Sequence, residues 1–85
     1  MNGTLVTLDH ISVGEKAILK NLLFTGAIRR RFQDIGLIEG TQIEYLQKSP
    51  FGDPVAYLIR GTVIAIRSED TAKIQVESEK IAARV

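Results

Sequence analysis

A small antiparallel β-barrel carrying one main helix is the fold class this chain predicts, and three observations lead to it. Short stretches alternate in side-chain character at strand spacing, over 16–22, 41–48, 55–60, 62–67 and 73–77. Glycines punctuate them at Gly14, Gly36, Gly40 and Gly61, where tight turns need a permissive backbone. Only one sizeable segment has helical periodicity: Ile28, Phe32 and Ile35 fall at i, i+4 and i+7. About five short strands around one helix, inserted between the first and second strands, fit a barrel.

In chain order, Thr7 is placed to cap a short helical turn over Leu8, Asp9 and His10 that sets Leu8 and Ile11 against a core. A turn at Ser12–Glu15 leads into the first strand, with Ala17 and Leu19 on one face. Thr25 or Gly26 starts the helix, and Gly36 ends it. Ile28, Phe32 and Ile35 are expected to be buried together. The strand after Gly40 sets Ile43 and Tyr45 against Gln42 and Glu44. A hairpin turning at Gly61 follows, apolar on both faces: Val55, Tyr57 and Ile59 against Ala56 and Leu58, then Ile64 and Ile66 against Val63 and Ala65. Its second face is either covered by the helix and the N-terminal turn or left as an exposed apolar strip. Ser68-Glu69-Asp70 reads as a helix start, and the last strand turns Ile74 and Val76 inward. The domain core is expected over about 5–77, with 78–85 as a fraying tail.

Composition narrows the function classes. Eighty-five residues make one domain, and a chain of this size buries only roughly 60–65% of the surface its unfolded form exposes. There is no cysteine, so neither a disulfide nor a thiolate metal site can form. A net charge of +1 gives no field for nucleic acid or an anionic membrane. Arg29, Arg30 and Arg31 lie off the apolar helical face, either as a solvated surface paired to Asp34 or as a patch for an acidic partner; without interleaved aromatics they are a poor nucleic-acid signature. No secretory signal and no apolar run of membrane-spanning length are present, which makes a cytoplasmic location the expectation.

Nothing in the chain looks catalytic. Asp9 and His10 are adjacent in sequence and are not expected to face each other on a helical turn. Ser49 and Ser68 have turn and cap roles, and the Gly36–Gly40 segment lacks the Lys-Ser/Thr of a phosphate loop. No metal or cofactor site is expected; Glu15, Glu44 and Asp53 offer at most scattered carboxylates. The notable surface segment is Ser49-Pro50-Phe51-Gly52-Asp53-Pro54, in which two prolines pre-set the backbone around an aromatic residue. Phe51 either plugs one end of the barrel or stands out as an anchor.

Over residues 5–77 the chain also resembles a known family. RRRFQDIGLIEGT, followed by SPFGDPVAYLIRGTVIAIR, is similar to the pattern of the FeoA family: an arginine-rich helix, a D-x-G-L-x-x-G-T turn, P-x-G-D-P, and an R-G turn between strands. Gly14-Glu15-Lys16-Ala17 fits as well, while Phe32 and Glu39 stand where leucine and proline are usual. The resemblance implies an SH3-like barrel without enzymatic activity. It also implies a role in bacterial ferrous iron transport, with the FeoB membrane transporter and its cytoplasmic GTP-binding domain as partner. On that reading the contact residues are Leu37, Ile38, Pro50, Phe51, Gly52 and Asp53, with Arg30 steering. The alternative is a free-standing metal- or peptide-responsive regulatory module, and the two-faced hairpin leaves room for weak self-association.

Overall fold

The computed structural model describes residues 4–78. Six strands form one antiparallel sheet: β1 (Thr4–Thr7), β2 (Lys16–Leu22), β3 (Gln42–Lys48), β4 (Val55–Ile59), β5 (Thr62–Ile66) and β6 (Ile74–Ser78). They are ordered β1-β6-β2-β3-β4-β5. Helix α1 (Gly26–Asp34) joins β2 to β3, a single helical turn α2 (Ser68–Thr71) joins β5 to β6, and a 3-10 turn covers Leu8–His10. The sheet coils into a barrel whose outer strands, β1 and β5, do not pair with each other.

Bulges help it coil. The register slips between Leu19 and Asn21 on β2 and between Tyr45 and Gln47 on β3, and each slip adds local twist. Between β4 and β5 the chain reverses in two residues. Arg60 and Gly61 both take positive φ, 52° and 83°, the pair of conformations whose twist matches that of a hairpin. Tyr45 and Tyr57 are cross-strand partners with their rings edge to face, centroids 5.4 Å apart. Around them the barrel interior holds Leu8, Leu19, Leu37, Ile43, Ile59, Ile74 and Val76, each essentially inaccessible to water. A fully buried side chain of this kind contributes roughly 1.5–3 kcal/mol, so these few account for much of the stability of so short a chain.

The expected strands are all present, and the structure adds one and extends another. β1 was not expected; it pairs with β6 from Thr4↔Ser78 to Thr7↔Gln75. Consequently the helix lies between the second and third strands. Ser78, assigned to a fraying tail, is buried and pairs with both Thr4 and Ala17, whereas 79–85 lie outside the described residues. The expectation for the helix face is corrected too. α1 buries no residue fully; Ile28 and Ile35 are about half exposed and Phe32 is partly buried, stacked on Phe24 at 4.9 Å. Arg29 ties the helix down by donating to the Leu22 carbonyl at 2.7 Å. Asp34 forms no ion pair with Arg30 or Arg31 among the described residues.

Caps differ as well. Neither Thr7 nor Thr25 makes a side-chain cap bond. The position before α2 is Arg67, and the acceptor for the Ser68 amide comes from Asp53, far away in sequence.

Candidate interaction surface

The segment 49–54 is held at its neck and pinned at one side. The Ser49 amide donates to the Pro54 carbonyl at 3.1 Å, and the Gly52 amide donates back to the Ser49 carbonyl at 2.8 Å. Gly52 takes a φ of 89°, which closes this turn, and the Asp53–Pro54 peptide is cis. Asp53 Oδ1 accepts from the Ser68 amide at 2.8 Å, while Oδ2 lies 3.9 Å from the Arg67 guanidinium. Asp53 therefore fixes the loop to the start of α2. Phe51 stands at the tip, 95% exposed. Of the two orientations open to it, the structure has the displayed one.

Beneath the loop is an open cleft of about 460 Å³ lined by Val13, Tyr45, Lys48, Gly52, Val55 and Tyr57. Val13 is also largely exposed. Burial pushes the Tyr57 phenol well above its ordinary range, and Tyr45, Asp9 and Asp53 push in the same direction. It is a neutral wall of the cleft at physiological pH.

The remaining candidates are dispersed. Leu37 is fully buried and forms part of the barrel interior, which removes it from the surface set. Ile38 is about half exposed and Arg30 is exposed, but both precede β3, whereas Pro50, Phe51 and Gly52 follow it. At about 3.3 Å per residue the strand separates its ends by roughly 20 Å. The expected neighbourhood of Leu37, Ile38 and Phe51 is thus not formed. Instead the helix-end turn is braced locally: Thr41 Oγ1 donates to the Gly36 carbonyl at 2.9 Å.

Two further surfaces are apolar. On the outer face of the hairpin Leu58 lies opposite Val63 and Ala56 opposite Ala65. Val63 and Ala65 are exposed, so neither the helix nor the N-terminal turn covers this strip. Between α1 and α2 a second cleft of about 470 Å³ has Ile28, Phe32 and Ile35 on one side with Arg31, and Glu69 and Asp70 on the other.

Asp9 and His10 do meet, against expectation, because the 3-10 turn brings Asp9 Oδ1 to 3.2 Å from His10 Nδ1. The Thr7 hydroxyl donates to the same carboxylate and lies 2.9 Å from the same ring nitrogen. A hydroxyl–imidazole–carboxylate relay needs its two partners on opposite ring nitrogens, so this cluster braces a turn. No group of three His, Cys, Asp or Glu side chains among the described residues is arranged to hold a metal ion.

A small, open antiparallel barrel that displays a pinned loop and an exposed apolar strip is the class of protein this structure defines. Within that class the family is clear: the FeoA domain matches residues 6–78, and the chain belongs to the FeoA family. A fusion of Fe(2+) transport protein A with the Fe(2+) transporter FeoB from Porphyromonas gingivalis (strain ATCC BAA-308 / W83) is 34% identical over 70 residues, 82% of this chain. The chain spans only 8% of that relative's length. The solution structure of the FeoA protein from Chlorobium tepidum superposes with a TM-score of 0.81 at 27% identity, covering 86% of this chain and 70% of that one. Stenotrophomonas maltophilia FeoA, described as an SH3 domain protein and solved with zinc, has the same fold at a TM-score of 0.70 and 24% identity, with 85% and 89% covered. The barrel is SH3-like.

Proposed function

We propose that this protein is a non-enzymatic accessory of ferrous iron uptake that works in the cytoplasm. In this reading it docks on the cytoplasmic part of a FeoB-like transporter and modulates its assembly or GTP cycle. The observation that carries the reading is Phe51, 95% exposed at the tip of a loop whose backbone is already fixed. An aromatic presented on a fixed backbone has only its side-chain freedom to lose on binding, which suits it to act as an anchor. The Porphyromonas gingivalis relative joins the two components in one polypeptide, and such tethering raises the effective concentration of one for the other. Pro50, Phe51 and Gly52 make the contact, and Asp53 holds the loop to Ser68. Arg30 and Ile38, at the far end of β3, would reach a partner only as a second contact. To modulate a nucleotide cycle the module must bind one state of its partner better than another.

The test is an amide chemical-shift titration with the transporter's soluble cytoplasmic domain, loaded with GDP and then with a non-hydrolysable GTP analogue. Shifts centred on 49–53 that differ between the nucleotides are expected, with Phe51→Ala weakening binding by about tenfold or more. Unchanged spectra with both nucleotides would remove that domain as the docking site.

A further inference from the structure

We infer that the free edge of β5 is a self-pairing surface and that its occupant is a second copy of this chain, added antiparallel about a two-fold axis through Ile64. Among the described residues β5 pairs only with β4. In a two-residue hairpin the residues flanking the turn form a hydrogen-bonded pair, here Ile59 with Thr62, and such pairs then alternate along the ladder. Thr62, Ile64 and Ile66 therefore direct their backbone groups to β4, and Val63 and Ala65 direct theirs outward. No turn, loop or side chain among the described residues satisfies those outward groups. Val63 and Ala65 are also the exposed apolar residues of the hairpin's outer face. The strand Thr-Val-Ile-Ala-Ile carries no charge, no proline and no bulge, the features that guard an edge against pairing.

Charge selects the occupant. At one end of the strand Arg60 is exposed and has no carboxylate within ion-pair distance among the described residues. At the other end Arg67 lies 3.9 Å from Asp53, and Glu69 and Asp70 form no ion pair among the described residues, although Arg31 lines the same cleft as they do. Antiparallel pairing centred on Ile64 sets Val63 of each copy opposite Ala65 of the other, so all the outward backbone groups are paired. In the same register Arg60 of one copy falls opposite Ser68 of the other, twice by symmetry, and its exposed side chain, which rests along Gly36, is the cation this copy brings nearest the partner's Ser68–Asp70 turn. The surface is thus complementary to itself in hydrogen bonding, apolarity and charge, as a two-fold interface requires.

Sedimentation of the full chain from micromolar to millimolar concentration should show reversible monomer–dimer exchange. Ala65→Pro removes an outward donor without touching the β4 ladder, and Val63→Lys places a charge on the edge. Both variants should sediment as monomers while melting cooperatively. Because the chain has no cysteine, Ile64→Cys should give a disulfide-linked dimer on oxidation, whereas the exposed control Val13→Cys should not. A wild-type protein monomeric throughout with no Ile64→Cys cross-link overturns the inference, and so does a dimer that survives Val63→Lys. Shifts over 62–66 appearing only with the transporter domain would give the edge to a foreign strand instead.

Discussion

Leu37 and Phe51 bracket the range of environments in this chain, one wholly enclosed and the other 95% exposed. Replacing Leu37 by alanine leaves a cavity in the barrel and should lower the unfolding free energy by about 2–5 kcal/mol in urea titration. Phe51→Ala should change it by no more than about 0.5 kcal/mol, so any binding defect of that variant reports contact and not folding. Gly36 is constrained twice over. Its φ is 110°, and a Cβ there would meet the Arg60 side chain at 2.7 Å. Gly36→Ala should therefore cost about 1–3 kcal/mol. Adding Arg60→Ala should recover only part of the loss, since the overlap disappears and the backbone conformation does not.

Between elements, the link from Asp53 to α2 organises one end of the barrel. A helical turn of four residues cannot stabilise itself; it relies on the carboxylate that accepts from its first amide. Asp53→Ala should lower stability by about 0.5–2 kcal/mol and speed hydrogen exchange at Ser68–Thr71 more than in β3. A carboxylate from 15 residues upstream leaves no local pattern, and the sequence offered Ser68 as the cap in its place. Other elements were more legible. Alternation and glycine placement located five of the strands because those signals are local. β1 is four residues long, and a reading of Thr7 as a cap conceals it. Periodicity correctly put Ile28, Phe32 and Ile35 on one face of α1, but a shared face is buried only where another surface comes to meet it. The contact residues fared unevenly for a related reason. The Phe51 loop is legible from its prolines and glycine, whereas grouping it with Leu37 and Ile38 overlooks the whole strand that lies between them.

Across the molecule, titration of one interior group should shape the response to alkali. The Tyr57 phenol is raised above its ordinary value of 10.0 chiefly by burial. Above that pH the unfolded chain releases this proton while the folded chain keeps it, so the unfolded state binds fewer protons and stability falls as pH rises. The stabilisation is fully present below the unfolded value. Urea midpoints should therefore decline between neutral pH and pH values above 10.0, and Tyr57→Phe should flatten much of that decline. The pairing of the first strand with the last has another kind of consequence. Thr4 and Ser78 are register partners, so the first and last described residues stand about 5 Å apart. A cargo spliced before the first strand or after the last would hang from the same point on the surface. The barrel can thus be tethered through either strand from one and the same side of its sheet.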